Sequence, residues 1–332
     1  MFQVAIITSQ CDLHADVVIQ ELESSNVKPV RINTENFITN CRYSHSWSMN
    51  GNTENSEYNF IDSKVNTQNI DVVWWRKPSD YHPGALIQNE WSIKYCQDET
   101  KALVKSWPGL FPEARWVNHF YNMQLPALRI NQIPVAQQLG LKIPPTIISN
   151  DYVKLSEFLT QYPDSIVKPM VYSSFLHQDK QYACFTRPIN HNLLEEMHDS
   201  IEIAPVFMQK RIHKQAEYRV TIIGRERFVC RINTEHLDNE LINQDWRVTE
   251  PEKLTHTPDK LPDLYLEKLD KMLKIWDLNF GAFDIIKGDD DNLYFIELNP
   301  NGQWYWIEIL TGMPMVKAMV NLIEELSVKA QI

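Results

Sequence analysis

Glycine is scarce in this chain, nine in 332 residues, and neither GxGxxG nor GxxxxGK[ST] occurs. The usual sequence support for a Rossmann dinucleotide site or a P-loop is therefore missing. Cysteine is sparse as well. Cys11, Cys41, Cys96, Cys184 and Cys230 are scattered and no CxxC spacing joins them, which argues against a zinc site and for reduced thiols in a cytoplasm. No apolar run approaches the ~18–20 residues of a membrane span, so no membrane partner is expected. The opening residues 1–8 have no basic stretch before their apolar run and read as a first strand, not a signal peptide. Positive charge is in deficit too: 32 Lys and Arg against 43 Asp and Glu leave a net charge of −11. Such a chain gains little from counterion release, so a general nucleic-acid binder is disfavoured. A local basic pocket remains compatible with that total.

What is present is ordinary for a globular protein: 43% hydrophobic and 23% charged residues. The length predicts two or three packed units. Residues 2–8, 27–32 and 71–76 read as strands. Residues 14–24, with Ala15, Val18, Ile19 and Leu22 on one face, and residues 90–107 read as helices. This order implies a small α/β domain ending near residue 115. Phe60 and Ile61 are expected to face Tyr43 and Trp47 in a meander turning at Asn50-Gly51-Asn52. A helix is expected within residues 116–150, ended by Gly140, followed by a strand after Pro144-Pro145. Residues 156–162 and 263–276 read as helices, and residues 165–169, 205–212, 218–223 and 228–232 as strands. A hairpin over residues 280–298 and a final helix over 314–329 close the chain.

The hairpin carries the chemistry. With its tip at Asp290 and Asp291, Asp284 lies opposite Glu297, and Asn299 shares their face two residues on. Two like charges side by side repel unless a cation lies between them. Magnesium takes oxygen ligands of this kind together with phosphate oxygens. The alternative is a hairpin whose polar face is simply wet, and the hairpin alone does not choose between them.

The run Glu297-Leu298-Asn299-Pro300-Asn301-Gly302-Gln303-Trp304-Tyr305-Trp306, followed by Glu308 and Thr311-Gly312-Met313-Pro314, resembles the C-terminal signature of ATP-grasp peptide maturases, the graspetide or microviridin-type macrocyclases. Val73-Trp74-Trp75-Arg76-Lys77-Pro78, Trp116-Val117-Asn118-His119 and Asp245-Trp246-Arg247 resemble other parts of that family, so the likeness spans nearly the whole chain. It implies an α/β (α+β) ATP-grasp fold: a Rossmann-like pre-grasp domain over residues 1–115, a central domain over 116–205 and a grasp domain over 206–332. It also implies ATP and Mg2+ as cofactors, with Asp284, Glu297 and Asn299 on the metal.

By position, Lys168 matches the phosphate-contacting lysine, and Arg129 stands where the family usually has a lysine. Gln209 and Lys210 fall in the adenine hinge of residues 207–212, and Glu217 is the candidate ribose contact. Arg219 and Arg247 are the candidates for the developing acyl phosphate. For each arginine a plain salt bridge is an equal alternative, and Lys168 taken alone reads as a surface lysine ending a strand. The family's glycine-rich lid is replaced by Met170-Val171-Tyr172-Ser173-Ser174-Phe175. The implied partner is a precursor peptide with a leader and an acidic core, whose Asp or Glu side chains are joined to Thr, Ser or Lys. The likeness also admits a homodimer. Two other readings stay open: an ATP-grasp ligase acting on a free amino acid or small amine, and a catalytically silent peptide-binding module.

Overall fold

The computed structural model describes the chain except residues 1, 48–52, 61–63, 82, 85–86, 171–173, 178–179, 184–185, 234–253 and 330–332. Strands β1 (Gln3–Thr8), β2 (Lys28–Asn33), β6 (Val72–Trp75) and β7 (Arg115–Trp116) form a parallel sheet in the order β2-β1-β6-β7. Helix α1 (Leu13–Ser24) starts at Asp12, whose carboxylate accepts the His14 N–H at 3.2 Å, and crosses from β1 to β2. Side chains alternate across a strand, and here both faces are buried. Val4, Ile6, Val72 and Trp74 enter one core with α1 and the last helix, α11 (Met315–Lys329). Ala5, Ile7, Val73 and Trp75 enter a second core. That is why β1 and β6 read as unbroken apolar runs and not as alternating ones.

Strands β3 (Cys41–Trp47), β4 (Thr53–Phe60) and β5 (Lys64–Asn66) form the expected meander, but its register differs: Phe60 faces Cys41, and Tyr43 faces Tyr58. The expected turn residues Asn50, Gly51 and Asn52, and Ile61, lie outside the described residues. Helix α2 (Phe37–Asn40) precedes the meander, and α3 (Glu90–Ser106) follows β6. The stretch 116–150 is split. Helix α4 (Phe120–Gln124) stops just before Pro126, which has no N–H to carry the ladder on, and α5 (Arg129–Gln138) starts afresh.

The central sheet, ordered β12-β9-β13-β8, is antiparallel throughout. Its strands are β8 (Thr146–Ser149), β9 (Ser165–Lys168), β12 (Arg187–Ile189) and β13 (Val206–Lys210), with the β10 (Ser174–His177) and β11 (Lys180–Ala183) hairpin apart. Helices α6 (Tyr152–Gln161), α7 (His191–Glu196) and α8 (His198–Ile203) pack on it around Leu155, Leu159, Val167 and Met208. Because β13 pairs with β8 and β9, we propose that the central unit ends after β13, not at residue 205.

The third sheet, β16-β15-β14-β17-β18, is antiparallel. It contains β14 (Lys214–Ile223), β15 (Glu226–Asn233), β16 (Thr255–Pro258), β17 (Phe280–Gly288) and β18 (Leu293–Asn299), with α9 (Asp263–Ile275) and α10 (Tyr305–Thr311) alongside. Val220, Phe283 and Phe295 of this sheet share one core with Trp75 and Phe120. No helix among the described residues is long and apolar enough to cross a membrane.

Candidate active site

The β17–β18 hairpin places two carboxylates face to face, and a β-bulge is the reason. Near the tip Lys287 pairs with Leu293, Ile286 with Tyr294 and Ile285 with Phe295; then the register shifts and Asp284 pairs with Glu297. Ile296 is the extra residue. Without it Glu297 would point to the other face, since a slip of one residue reverses every side chain. The tip spans Asp289 to Asp291, with Asp291 in the left-handed region at φ 61°. The register expected from a tip at Asp290 and Asp291 therefore holds at the carboxylates but not beside the turn. On the other side of β17, Arg219 of β14 pairs with Asp284. Its Nε lies 3.1 Å from Asp284 Oδ1, an ion pair without an aligned hydrogen bond.

Helix α5 holds the other carboxylate. Arg129 donates from Nε to Glu297 Oε2 at 2.7 Å and from Nη1 to the Pro169 carbonyl at 2.5 Å. One turn on, the Gln132 amide donates to the Leu298 carbonyl at 2.7 Å and accepts the Leu298 N–H at 2.8 Å. Gln132 thus satisfies both backbone groups of an edge-strand residue and anchors β18 between Glu297 and Asn299. Asn118 does the same for the start of β17. Its amide donates to the Phe280 and Pro300 carbonyls at 2.9 and 2.8 Å, and accepts from the Asn279 and Phe280 N–H groups at 2.8 and 3.0 Å.

The central sheet supplies the facing wall. Gln209 on β13 pairs with Ile166 and Thr146 in register, so its side chain lies diagonal to Lys168 on the same face. Lys168 Nζ donates to Gln209 Oε1 at 2.7 Å, and Gln209 Nε2 donates to Thr146 Oγ1 at 2.8 Å. Lys214 and Glu217 form an ion pair on β14.

Arg129, Lys168, Gln209, Lys210, Glu217, Asp284 and Glu297 all line one cleft with about 810 Å³ of empty space, open to solvent. Its walls carry five cations (with Arg211 and Lys214) against three carboxylates, a positive excess in an acidic chain. Pro144, Ile166, Ile212, Ile286 and Ile296 add apolar surface. Asn299 is exposed on the β18 face of Glu297, outside the cleft lining, and its Oδ1 accepts the Asn301 N–H at 3.0 Å. Arg219 is buried behind Asp284 and likewise does not line the cleft. Arg247 lies outside the described residues. Sequence reasoning missed Lys214 and the supporting Thr146, and it included Arg211 in the hinge of residues 207–212 without singling it out. The Lys214–Glu217 spacing was a readable signal, whereas Thr146 becomes visible only through the register.

A second polar cluster joins the first sheet to the loop after β18. Arg76, 1% exposed, donates from Nη1 to the Asn301 carbonyl at 2.9 Å and to its Oδ1 at 3.0 Å. Asp12 lies 3.6 Å from Arg76 Nε and accepts from Thr8 Oγ1 at 2.6 Å. Burial alone would raise its pKa, but the His14 and Thr8 hydrogen bonds and the Arg76 charge together hold it well below the usual carboxylate range. His14 Nε2 accepts the N–H groups of Trp304 and Tyr305 at 2.9 and 3.0 Å, so the ring is neutral there. Burial pushes its pKa down, as do Arg76 and Lys77, while Asp12 pulls the other way. A depressed histidine pKa stabilises the fold fully above the ordinary value of about 6.5 and progressively less as pH falls below it. The thermal midpoint should accordingly drop on going from neutral to mildly acidic pH, and His14→Gln should flatten that dependence. Calorimetric scans over pH check it.

Residues 3–124 match the family model of the MvdD pre-ATP grasp domain. Sequence comparison with curated proteins gives no match. Among solved structures the chain is similar to a RiPP-associated ATP-grasp ligase from Chryseobacterium gregarium, solved with ADP and a leader and core peptide. The TM-score is 0.88 at 22% identity, over 98% of this chain and 97% of that one. It is similar to the macrocyclase MdnC of Microcystis aeruginosa, bound with precursor peptide MdnA, with TM-score 0.85 at 21% identity over 98% and 100% of the two chains. The chain has the ATP-grasp fold. The ATP-grasp ligase PsnB, solved with a minimal precursor, Mg and ADP, matches at TM-score 0.74 and 18% identity over 98% and 97%. Within this ATP-grasp frame, the cleft described above lies between the β8–β9–β13 wall and the β14–β17–β18 sheet.

Proposed function

We propose that the chain is an ATP-dependent, ADP-forming carboxylate ligase that closes ester or amide rings in a ribosomal precursor peptide. One observation carries the reading: Lys168, Arg129, Asp284 and Glu297, from separate elements, meet in one net-positive cleft of an ATP-grasp fold. Polyphosphate suits the cationic groups, and the isoleucine-lined surface suits a flat purine. Glu217, beside Lys214, is the ribose contact, with Gln209 and Lys210 in the hinge. The bound nucleotides and peptides of the similar structures support ATP, Mg2+ and a leader-bearing peptide as the ligands here.

The donor set fits Mg2+. Asp284, Glu297 and Asn299 offer hard oxygen donors on one face, with neither sulfur nor imidazole. Among the described residues no cluster of three or more His, Cys, Asp or Glu occurs, so phosphate oxygens and water would complete the coordination. When bound, Mg2+ neutralises charge on the phosphoryl oxygens during transfer. Lys168, held by Gln209, adds a fixed cation beside the phosphates. Arg129, held by Glu297 and the Pro169 carbonyl, adds a second, and buried Arg219 holds the Asp284 carboxylate in place.

A peptide carboxylate oxygen attacks the γ-phosphorus, the bond to the β-phosphate oxygen breaks, and ADP leaves. A Thr or Ser hydroxyl, or a Lys amine, then attacks the acyl carbon, loses its proton and expels phosphate. Each ring costs the peptide one water. Arg219 and Arg247 remain the candidates for steadying the acyl phosphate, with Arg219 acting through Asp284.

Lys168→Ala should fold normally and bind ADP about tenfold or more weakly, since it loses a charge-assisted phosphate contact of roughly 1.5–3 kcal/mol. Titration calorimetry checks this, and wild-type affinity would remove Lys168 from the site. Hydroxylamine added during turnover should trap the acyl phosphate as a peptide hydroxamate. ATP consumption with AMP as product would contradict the scheme.

A further inference from the structure

A second cleft, open to solvent and with about 790 Å³ of space including that solvent, is lined by Ser9, Asp12, His14 and Lys77 on one side and Gln303 and Tyr305 on the other, among others. Its position follows from the strand order. The chain runs from β1 to β2 on one side, then returns to β6 on the other side of β1, all in parallel. The β1/β6 gap is therefore the topological switch point of this sheet. Ligands of open parallel sheets bind outside the carboxyl ends of the strands at such a point. Ser9, Asp12 and His14 follow the carboxyl end of β1, and Lys77 follows that of β6.

The opposite wall is the loop after β18, and it is held firmly. Asn118 bonds the Pro300 carbonyl, Arg76 bonds Asn301, and His14 takes the Trp304 and Tyr305 N–H groups. Gly302 packs so closely on β17 that a Cβ there would lie 2.5 Å from Ala282 Cβ. Such a wall is preorganised and pays little ordering cost on binding. It also continues directly from the candidate metal strand. Gln303 is four residues beyond Asn299, a reach of at most about 14 Å along the chain.

The charge of the cleft is unbalanced. Asp12 is buried against Arg76 and answered by it, and His14 is neutral. Lys77 is exposed and lines the cleft, and among the described residues no carboxylate forms an ion pair with it. One uncompensated ammonium thus faces a rigid, partly aromatic cleft in a chain of net charge −11.

We propose that this switch-point cleft is a peptide subsite in which Lys77 binds an acidic side chain of the substrate and positions the segment for reaction at the neighbouring cleft. The proposal rests on the ligase reading and assigns Lys77 a positioning role, outside the nucleotide site. It accounts for an acidic enzyme taking an acidic peptide: the Lys77 ammonium at the subsite offsets the general repulsion.

The test uses the full chain and two short, capped, fluorescein-labelled peptides, one of alternating Thr and Glu and one of alternating Thr and Gln. Binding is read by fluorescence anisotropy with and without ADP and Mg2+. Wild type should prefer the Glu peptide by about tenfold, Lys77→Ala should lose most of that preference, and Lys77→Arg should keep it in part. ADP affinity should be the same in all three proteins, which also shows that they are folded. Carbodiimide coupling of the Glu peptide should give a cross-link that maps to Lys77. An unchanged preference in Lys77→Ala overturns the proposal, as does a wild type that holds ADP yet binds both peptides equally or neither. A wild type that binds no ADP would instead sink the ligase reading, while the nucleotide-free peptide preference still decides the subsite.

Discussion

Glu297→Gln should fold and yet dehydrate peptide at least about a hundredfold more slowly than wild type, a loss of a few kcal/mol in the transition state. The substitution keeps size and hydrogen-bonding capacity but removes one charged oxygen ligand from the face shared with Asp284. It also weakens the hold on Arg129, whose Nε and Nη2 lie 2.7 and 2.6 Å from Glu297 Oε2. Carboxylate repulsion, expected when the hairpin is considered alone, would make the metal-free variant more stable. The structure changes that expectation, because Arg219 and Arg129 each face one of the carboxylates. The thermal midpoint should therefore stay level or fall slightly, by an amount corresponding to about 1 kcal/mol or less. Asp284→Asn should behave likewise. Peptide dehydration by mass spectrometry, paired with ADP release and a melting scan, measures both sides. Near wild-type turnover in both variants would remove the metal site from the account.

The largest effect on stability should come from Asn118→Leu. Asn118 is 3% exposed and makes four hydrogen bonds to backbone groups at residues 279, 280 and 300. Leucine would fit the space only roughly and would leave two carbonyls and two N–H groups without partners. Each such buried group costs about 1–3 kcal/mol, less where water can reach it. A loss of roughly 3–5 kcal/mol is expected, large enough to threaten folding at ordinary temperature. Asn118→Asp keeps the two accepted bonds and should lose less. Urea denaturation of the three proteins ranks them, and a Leu variant as stable as wild type would show that these bonds are dispensable.

How much was legible in the sequence depends on how local the cause is. The apolar runs of β1 and β6 and the facing of Asp284 and Glu297 could be read directly, because strand periodicity and a short hairpin are local. The bulge at Ile296 could not, since only the pairing reveals it, and the two errors in the hairpin reading, tip and register, cancelled at the carboxylates. The meander shows the same sensitivity without the cancellation: Phe60 faces Cys41, not Tyr43. Residues 116–150 were read as containing one helix because the apolar spacing of Val135, Ala136 and Leu139 is local, while the break at Pro126 separates α4 from α5. Arg129 could be placed only through resemblance; its bonds to Glu297 and Pro169 depend on two segments far away in the chain. The Arg76–Asn301 and His14–Trp304 contacts join residues more than two hundred positions apart, and no pattern in the sequence announces such pairs.

The central claim is a chemical one, and intact mass tests it most directly. The full chain should be incubated with ATP, Mg2+ and an acidic, Thr- and Lys-containing peptide that it binds. The account predicts a product lighter by the mass of one water for each ring, formed with one ADP per water lost and absent without ATP. A peptide of unchanged mass, from a protein that binds ADP and that peptide, would contradict it.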